Sequence, residues 1–417
     1  MDRYDVVIVG GSFAGLSCAY HLPRDLKVLI IERKPQAGAT VESTGLITEH
    51  TRQEMASFFD VDRYITNPIT TIGVVAPGLR DSFFSHTGEP WIYQTDTRAL
   101  VHAMAEGLPS NVTVTTSATL EALRSDGEGS EVTFTIKGIT STVHARFVVG
   151  ADGGGSKVAQ LTPGLSRNAK FLYGIERVFP GVVRFGPCPE KTIYHYWFGE
   201  FSLGSGGWLS PTSIGGKPGF RIGLAKHMRD HRDADGLLNR FTEKLQELGM
   251  LTIESGQTKA DYAFASRIPI GGVLRNIHRG HTLLIGDAAG FCGAFAADGI
   301  KGAVVSGKEG AAVIGEYLAG NRSALASFSK RVDGHNGLLQ YYHKQVLYRW
   351  VWDRMKRDRT FRAMYDLIQA ERDTFLLQFC DSKDKRKSLA WTVLKVKHIP
   401  GLIRYAWYIF LDLFPGS

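Results

Sequence analysis

Residues 4–32 read YDVVIVGGSFAGLSCAYHLPRDLKVLIIE, and this stretch decides the fold. The apolar, β-branched run 4–9 predicts a buried parallel strand, and the run 27–31 predicts a second one. A glycine-rich turn at 10–15 (GGSFAG) and a stretch with helix-like apolar spacing at 16–22 lie between them. Strand, turn, helix and strand in this order are typical of a dinucleotide-binding βαβ unit, whose helix N-terminus holds a pyrophosphate.

The acid that ends this unit, Glu32, lies 22 residues after Gly10 and would accept hydrogen bonds from a ribose. Because an acid suits an unphosphorylated ribose, it favours FAD or NAD over NADP. Ser12 replaces the middle glycine of the usual pattern, but a side chain this small still lets the backbone approach a pyrophosphate. The alternative is a glycine-rich turn in some other α/β fold.

The composition is that of a globular protein long enough for two or more domains, with 43% hydrophobic and 22% charged residues in 417. Its net charge of +8 favours anionic lipid surfaces or phosphorylated substrates, or serves only as solubility charge. No basic patch with interleaved aromatic residues predicts nucleic-acid binding.

Four cysteines without metal-ligand spacing predict free thiols in a reducing compartment and no metal site. Since no run approaches about 18 apolar residues, we expect a cytoplasmic protein, either free or peripheral on the inner face of a membrane.

The later parts of the chain predict a sheet followed by helices. Apolar and polar residues alternate over 70–95, and 170–225 is strand-rich and aromatic, which predicts a broad antiparallel sheet. Such a sheet is either a wall for an apolar substrate or an ordinary sheet core. The apolar, aromatic stretch 388–414 carries interspersed lysines and an arginine. It is interpreted as an interfacial amphipathic segment, as a cap on a substrate tunnel, or as a helix packed on the domain.

Two further motifs follow the first one at informative distances. A predicted strand runs into GADGGGS at 150–156, which places a carboxylate and close-packed backbone at the edge of a cofactor. A second buried strand runs into LLIGDAAG at 283–290, and a helix rich in small residues follows from about Gly299. The N-terminus of that helix can stabilise an anionic pyrimidine edge.

The three motifs, in this order and spacing, resemble those of the FAD proteins built like p-hydroxybenzoate hydroxylase. The resemblance covers about the first 330 residues and implies an α/β fold (α+β overall). A Rossmann-type FAD-binding domain, an antiparallel β-sheet substrate domain and a C-terminal helical region are expected. Their predicted ranges are 1–75, 97–165 and 265–330 for the FAD-binding domain, 76–96 and 166–264 for the sheet domain, and 331–417 for the helical region.

The same resemblance implies which residues hold FAD. The ADP half falls to the turn and to Glu32 with Arg33, Arg98 approaches the cofactor, Asp287 reaches the ribityl chain, and Gly299 and Ile300 bring backbone N–H groups near the flavin ring. The complete predicted set is Gly10, Gly11, Ser12, Phe13, Ala14, Gly15, Glu32, Arg33, Ser43, Thr44, Arg98, Asp152, Gly286, Asp287, Gly299 and Ile300.

Within that fold, the details look most like the geranylgeranyl reductase family. GGWLSPTSIGGKPGFRIGLA at 206–225 is similar to the aromatic-proline strand pair that lines the prenyl cavity in that family, with Gly207, Trp208 and Pro211 at the matching positions. STGLI at 43–47 resembles a loop in which many members carry a cysteine beside the flavin, and here Ser43 or Thr44 takes its place. This departure argues against a mechanism that depends on the thiol. The expected substrate-lining residues are Tyr194, Tyr196, Trp197, Trp208 and Pro211.

A second departure lies before the small-residue helix, where Ala297 and Asp298 replace glycines. Asp298 is the candidate catalytic residue, because an apolar pocket would raise its pKa and make it a proton donor. The alternative, favoured by residue type, is that Asp298 caps the N-terminus of the helix.

These observations predict an FAD-dependent reductase that saturates C=C bonds of a prenyl, geranylgeranyl-type lipid, with electrons from a nicotinamide nucleotide or a ferredoxin-like donor. The main alternative is a flavin monooxygenase or epoxidase of the same fold, because the FAD motifs are shared. A non-catalytic flavin or prenyl-lipid carrier and a redox-neutral cyclase related to the carotenoid group are further alternatives. A halogenase is less favoured, because the sequence has no W-x-W-x-I-P.

Overall fold

The computed structural model describes residues 1–196, 204–256, 259–375 and 393–414. In chain order, the strands are β1 (Asp2–Val9), β2 (Val28–Ile31), β3 (Leu46–Thr48), β4 (Ile65–Ile69), β5 (Thr71–Val75), β6 (Ser82–His86), β7 (Ile92–Thr95), β8 (Val112–Thr115), β9 (Ala118–Ser125), β10 (Ser130–Ile136), β11 (Ile139–Gly150), β12 (Phe171–Val183), β13 (Thr192–Tyr196), β14 (Gly204–Ile214), β15 (Lys217–His227), β16 (Leu251–Ile253), β17 (Tyr262–Pro269), β18 (His278–Arg279) and β19 (Thr282–Leu284). The helices are α1 (Phe13–His21), α2 (Glu49–Ala56), α3 (Thr97–Glu106), α4 (Lys157–Leu161), α5 (Ala234–Glu247), α6 (Ile300–Leu318), α7 (Phe328–Gly334), α8 (Leu338–Trp352), α9 (Asp358–Gln369), α10 (Arg372–Phe375) and α11 (Ile399–Asp412).

The first sheet is built on the N-terminal unit that the sequence predicts. Its parallel strands have the order β19-β11-β1-β2-β8, with β18 at one edge and an antiparallel β9-β10 extension on β11. Val6 to Val9 pair with Val28 to Ile31, and both runs are buried, which explains their continuous apolar sequence. The β1-α1-β2 unit thus confirms the predicted dinucleotide-binding topology.

The small residues of α6 serve its packing on α1. A Cβ added at Gly307 would lie 2.6 Å from the carbonyl oxygen of Ala14. The Ser17 hydroxyl donates to the carbonyl oxygen of Val304 at 2.8 Å. Because this close packing fixes α6 against α1, both helix N-termini are held at one end of the first sheet.

The second sheet has the order β16-β12-β15-β14-β13-β5-β6, with β17 beside β12. It is antiparallel apart from the β5–β13 pair, which confirms the predicted antiparallel sheet. Residues 71–75 and 265–269 belong to this sheet, although the sequence-based boundaries assigned both to the FAD-binding part. The apolar run 71–75 suits a strand of either sheet, so its composition does not identify its partner. A third, small sheet has the order β3-β7-β4, and its strands lie between β2 and β8 in the sequence, with β5 and β6 of the second sheet among them.

The second sheet has two unlike faces, because directly opposed residues on neighbouring strands share a face. Tyr194, Tyr196 and Leu209 pack with Phe241 of α5, and we call this side the α5 face. The opposite side carries Ile72, Val74 and Ile193, which pack with Trp352, Phe361 and Tyr365, so we call it the α9 face. The α9 face is therefore closed by the C-terminal helices.

In the described residues, the C-terminal region consists of the helices α7 to α11 and the turns that join them. Residues 376–392 and 415–417 lie outside the described ranges, so only 393–414 of the predicted interfacial stretch is described. Within the described ranges, none of the helices combines the length and the hydropathy that a membrane crossing requires.

Candidate active site

The glycine turn after β1 is shaped by close backbone contacts. Gly10 has φ +110°, and a Cβ at this position would lie 2.3 Å from the carbonyl oxygen of Ala151. A Cβ at Gly15 would lie 1.9 Å from the carbonyl oxygen of Gly10. Ser12 is the N-cap of α1, and its side chain makes no capping hydrogen bond with the helix. The first N–H groups of α1 are therefore free of a side-chain cap and can receive an anionic group.

Glu32 directly follows β2, beside this turn, and is buried. Its carboxylate accepts hydrogen bonds from the backbone N–H of Gly11 at 2.6 Å and from that of Lys34 at 2.8 Å. These contacts fix the carboxylate at the place where the βαβ unit presents an acceptor to a ribose. The neighbouring Arg33 is exposed.

Asp287, which follows β19, offers a second acceptor. Its carboxylate has no hydrogen-bond donor among the described residues, and burial raises its pKa to about 6. A Cβ at Gly299 would lie 3.0 Å from Asp287 Oδ1, so the carboxylate and the N-terminus of α6 are adjacent. The backbone N–H of Gly286 donates to Ser306 Oγ at 2.8 Å, which ties this turn to α6. A buried carboxylate without a donor fits a ligand with hydroxyl groups, such as the ribityl chain of FAD.

Asp152 has a different local role from the one that its motif suggests. Its carboxylate accepts hydrogen bonds from Ser156 Oγ at 2.6 Å and from the backbone N–H groups of Lys157 and Val158 at 2.6 Å and 3.0 Å. These contacts hold the start of α4. Cofactor binding by the Asp152 side chain therefore stays a prediction.

Arg98 lies in the first turn of α3 and is exposed. Its guanidinium stands 4.9 Å from the centre of the Tyr262 ring on β17. The Tyr262 hydroxyl in turn accepts a hydrogen bond from the backbone N–H of Val41 at 3.1 Å. Arg98 therefore lies between β17 of the second sheet and the loop after β2.

The 43–45 loop is held by its backbone. Gln94 donates to the carbonyl oxygen of Thr44 at 2.7 Å, and Thr95 Oγ1 donates to that of Gly45 at 2.9 Å. Arg221 Nη1 approaches the carbonyl oxygen of Ser43 at 3.5 Å. The loop is thus fixed by both β7 and the α9 face, with Ser43 and Thr44 half-buried.

The sequence analysis did not predict a buried polar network on the α9 face. Glu176 is fully buried, and its carboxylate accepts from Trp208 Nε1 at 2.7 Å and from Arg221 Nη1 at 3.0 Å. Ser210 donates to Gln94 at 3.0 Å. Burial raises the pKa of Glu176, while Arg221 and the hydrogen bond from Trp208 oppose that shift. The one available signal was an acid inside the apolar strand sequence GIERVF.

His195 is a second residue of the α9 face that the sequence prediction missed. It lies between Trp208 and Val74 in the strand register, so the three share a face. Burial lowers the pKa of His195 to about 4, and its imidazole is therefore neutral at pH 7. Its signal in YHYWF is weak, because aromatic neighbours alternate around it.

The structure separates the residues predicted to line the substrate. Tyr194 and Tyr196 lie on the α5 face, where Tyr196 contacts Phe241 with ring centres 4.9 Å apart. Pro211 is opposite Phe220 of the same α5-face core. Trp208 lies on the α9 face and packs against a cluster that includes Ala294. Trp197 lies outside the described residues.

Asp298 does not cap α6, so that expectation is wrong. The N-cap is Gly299, and no side chain caps the helix. The Asp298 carboxylate instead accepts hydrogen bonds from Tyr341 Oη at 2.6 Å and from Gln345 Nε2 at 2.9 Å, both on α8. Burial raises the pKa of Asp298, and these two hydrogen bonds oppose the shift.

Ala297 has φ +56°, a left-handed conformation that costs a residue with a Cβ about 1 kcal/mol. The loop before α6 is therefore strained at the position where the resembling family has a glycine. The hydrogen bonds between Asp298 and α8 hold this loop in a conformation that the backbone preference of Ala297 does not favour.

Comparisons with known proteins agree with this geometry. The family model described as "FAD binding domain" matches residues 3–327, which confirms the predicted FAD cofactor. Over 96% of this chain and 98% of its own length, digeranylgeranylglycerophospholipid reductase 2 of Methanothermobacter thermautotrophicus is 25% identical. An FAD-dependent monooxygenase of Penicillium janthinellum is 27% identical over 43% of this chain and 41% of its own length. A geranylgeranyl bacteriochlorophyll reductase-like protein of Thermoplasma acidophilum has the same fold, with a TM-score of 0.73 at 17% identity and 99% coverage of both chains.

Proposed function

Because this chain belongs to the FAD-binding domain family and is an FAD-dependent oxidoreductase, we propose that it reduces C=C bonds of a prenyl lipid. The substrate class is a geranylgeranyl-type lipid, and the reaction adds a hydride to one carbon of the bond and a proton to the other. The single observation that carries the proposal is the full-length match to an archaeal geranylgeranyl-lipid reductase, which includes the C-terminal helical region. The monooxygenase relative matches less than half of the chain.

The α9 face supports this substrate class, because one part of it is an apolar cluster that the C-terminal helices cover. Ile72, Val74 and Ile193 form its floor, and Trp352 and Phe361 close it from above. Leu46 and Phe295 pack at its edge. Leu46 begins β3, directly after the loop that carries Ser43 and Thr44, and Phe295 lies in the loop before α6. An apolar chain held on this face would be shielded from water, which an isolated alkene needs because it is a weak hydride acceptor.

FAD would be held by two groups of residues whose geometry fits it. The turn at 10–15 and Glu32 would bind the ADP half, and Asp287 with the N-terminus of α6 would bind the ribityl and ring end. When bound and reduced, FAD supplies the hydride. An external donor must then return two electrons for each bond reduced, and a nicotinamide nucleotide or a ferredoxin-like protein would serve.

The proton is proposed to come through Asp298. Asp298 directly precedes Gly299, the N-cap of α6. The Tyr341 hydroxyl donates a hydrogen bond to the Asp298 carboxylate at 2.6 Å. Burial raises the pKa of Asp298, so a proton can reside on it closer to neutral pH than on an exposed aspartate. Tyr341 and Gln345 orient this carboxyl group from α8, which couples it to the helices that cover the α9 face.

The location of the proposed substrate determines where the protein must act. A geranylgeranyl lipid resides in a membrane, so its reductase must reach a lipid surface. The protein is therefore proposed to act on the inner, cytoplasmic face of a membrane, by contact through the 388–414 segment.

The test is an anaerobic reaction of the FAD-loaded protein, reduced with dithionite and then mixed with a geranylgeranyl lipid. Reoxidation of the flavin without oxygen, with a product heavier by two hydrogens per bond, is the expected result. A flavin that stays reduced until air enters, with an oxygenated product, would establish the monooxygenase instead. If no prenyl lipid changes the flavin, the substrate class is wrong.

A pair of variants compares the two faces of the second sheet in that assay, and the free energy of unfolding is measured for both, because Trp208→Leu also removes the hydrogen-bond donor to Glu176. Trp208→Leu changes the α9 face, and Tyr196→Phe changes the α5 face of the same sheet by one atom. We expect the rate of flavin reoxidation by lipid to fall about tenfold or more in Trp208→Leu and to stay unchanged in Tyr196→Phe. Equal rates in the two variants would show that the α9 face does not hold the lipid.

A further inference from the structure

Two segments of the chain, 153–175 and 262–286, carry lysines and arginines but no aspartate or glutamate. All six of these cationic residues are exposed, and none forms an ion pair with the described part of the chain. Because the net charge of the whole chain is +8, these segments hold most of its excess positive charge. We call this set the basic surface, and it consists of Lys157, Arg167, Lys170, Arg267, Arg275 and Arg279.

Folding brings the two segments together. The backbone N–H of Ser166 donates to the carbonyl oxygen of Asn276 at 2.8 Å, and the backbone N–H of Asn276 donates to Ser166 Oγ at 3.2 Å. A Cβ at Gly164 would lie 3.6 Å from Arg279 Nε. The cations on either side of these contacts are therefore neighbours in space, although the two segments are far apart in the sequence.

The basic surface borders the turn that is proposed to hold the ribityl chain of FAD. Asn168 lies between Arg167 and Lys170 in the sequence. Its side-chain amide donates to the carbonyl oxygen of Asp287 at 2.9 Å and to that of Gly154 at 3.0 Å. This part of the basic surface is therefore attached directly to the Asp287 turn.

The chemistry of the basic surface is polar throughout. Both segments are fully described, and none of their large hydrophobic residues is exposed. A membrane-docking surface inserts apolar side chains, and a site for single-stranded nucleic acid stacks bases on aromatic ones. The cations come from α4, β17, β18 and the loop before β12, a wider spread than the phosphates of one nucleotide need. These features favour a macromolecular partner that is recognised by its negative charge.

The proposed reaction requires a partner of this kind. Each saturated C=C bond takes up two electrons and two protons, so a donor must give up two electrons in total. Encounters between redox proteins bury little surface and are steered by opposite charges. Exposed cations without ion pairs, next to the turn proposed to hold FAD, match an acidic donor.

We propose that the basic surface docks an acidic electron-donor protein beside the Asp287 turn. The proposal rests on the proposed function, because it names the kind of donor that the reductase uses and the surface that receives it. The donor is oxidised by one electron in each of two encounters, or by two electrons in one. The two protons come from solvent.

The experiment measures the affinity of the FAD-loaded protein for an acidic two-cluster ferredoxin by calorimetry at low salt, with both proteins oxidised. Lys170→Glu/Arg275→Glu reverses two charges of the basic surface at exposed positions. The matched control, Arg3→Glu/Arg24→Glu, changes the net charge equally, and both residues are exposed. Arg3 lies on β1 and Arg24 precedes β2, which are three and four positions from β18 in the first sheet.

We expect the Kd for ferredoxin to rise about tenfold or more in Lys170→Glu/Arg275→Glu and to change less than about twofold in the control. Added salt should weaken binding by the unchanged protein. Equal affinity of Lys170→Glu/Arg275→Glu and the unchanged protein would overturn the proposal.

Two further outcomes would also overturn it. One is an unchanged protein that binds neither ferredoxin nor flavodoxin, a second acidic probe, while NADH or NADPH reduces its flavin directly. The other is a Lys170→Glu/Arg275→Glu protein that loses binding to vesicles containing phosphatidylglycerol and keeps its affinity for ferredoxin, because the basic surface would then bind lipid.

The docking test and the reductase test can fail separately. Ferredoxin binding is measured without lipid, and lipid reduction can start from chemically reduced protein without a donor. A protein that binds ferredoxin through the basic surface but leaves every prenyl lipid unreduced would keep the docking surface and lose the proposed function. Weakened ferredoxin binding in Lys170→Glu/Arg275→Glu, with lipid reduction by the chemically reduced variant unchanged, would support both.

Discussion

The two faces of the second sheet are made from the same strands and differ completely in chemistry. On the α5 face, Tyr194, Tyr196 and Phe220 belong to a core that is closed by one helix. On the α9 face, Glu176 and Arg221 are buried as a charged pair beside apolar residues. Alternation along a strand produces both faces from one sequence. The α5 face holds the sheet together, whereas the α9 face carries polar groups that cost stability unless each has a partner.

A buried ion pair is weak evidence for stability, because desolvation offsets the attraction between the charges. The Glu176–Arg221 pair therefore needs another explanation, and its contact with the 43–45 loop provides one. Arg221 also has a buried Nε without a hydrogen-bond partner among the described residues. Substitutions on both faces, compared by their effects on stability, can test this difference between the α5 face and the α9 face.

The largest effect is expected from Glu176→Ala. This change leaves the Arg221 guanidinium buried without its carboxylate, and the free energy of unfolding should fall by about 3–5 kcal/mol. Urea denaturation of the FAD-loaded protein measures it. The control is the double variant Glu176→Leu/Arg221→Met, which removes both charges and should recover most of the loss. A double variant as unstable as Glu176→Ala would mean that lost packing, not an unpaired charge, explains the result.

A smaller effect is expected from Trp208→Phe. The indole N–H donates to Glu176, so a phenyl ring leaves one carboxylate oxygen without that donor and should cost about 2 kcal/mol of unfolding free energy. Trp407→Phe is the matched control, because Trp407 is exposed on α11, and it should cost almost nothing. Denaturation midpoints of the two variants give the comparison. Similar losses at both positions would contradict the assigned role of the Trp208 indole.

The pH dependence of stability should also distinguish the α9 face. Burial lowers the pKa of His195 to about 4, below the value near 6.5 of an unfolded histidine, so the unfolded state binds the proton first as pH falls. The stabilising contribution of His195, measured as the difference between the unchanged protein and His195→Gln, should therefore decline between pH 6.5 and about 4, by about 2 kcal/mol at pH 5 relative to pH 7. The corresponding difference for His278→Gln, at an exposed position, should stay constant. A difference for His195→Gln that stays constant over this range would contradict the buried, neutral imidazole.

The smallest effect belongs to the α5 face. The Tyr196 hydroxyl is buried without a hydrogen-bond partner among the described residues, so Tyr196→Phe should be neutral or stabilise the protein by up to about 1 kcal/mol. Its neighbour on the same face gives the control, because the Tyr194 hydroxyl donates to the carbonyl oxygen of Phe185. Tyr194→Phe should cost about 1 kcal/mol. Thermal denaturation compares the stability of the two variants. A loss in Tyr194→Phe alone would show that the α5 face tolerates removal of a hydroxyl only where that hydroxyl has no hydrogen-bond partner.

The sequence predicts the β1-α1-β2 unit well, because its constraints are local and steric. Gly10 and Gly15 are required by contacts within that unit and with the strand beside it, and Glu32 lies at a fixed distance along the chain. The second sheet and the helical C-terminal region are predicted from local residue patterns, whereas the FAD cofactor is predicted from the resemblance of the three motifs to those of a known family. The exact strand membership of 71–75 depends on pairing with a strand more than a hundred residues away, which the local sequence does not encode.

The sequence predicts the α9 face poorly, because the direction of a side chain depends on the register of several strands. Tyr194, Trp208 and Pro211 are similar candidates by residue type, and only the register separates them. Asp298 was expected at a helix cap on residue type, but its partners, Tyr341 and Gln345, come from a distant helix. Glu176 and Arg221 likewise acquire their role only when β12 and β15 pair.

The order of elements along the chain has a consequence for biosynthesis. Every strand of the α9 face precedes Pro269, whereas its cover begins with α8 at Leu338 and includes α9 from Asp358. Roughly ninety residues separate the last of these strands from the start of α9. At ordinary elongation rates their synthesis takes about 5–20 s, so the sheet is complete well before its cover. The nascent chain carries an apolar wall exposed to solvent throughout that interval. A holding chaperone that protects this wall would raise the yield of the protein without changing the stability of the finished fold.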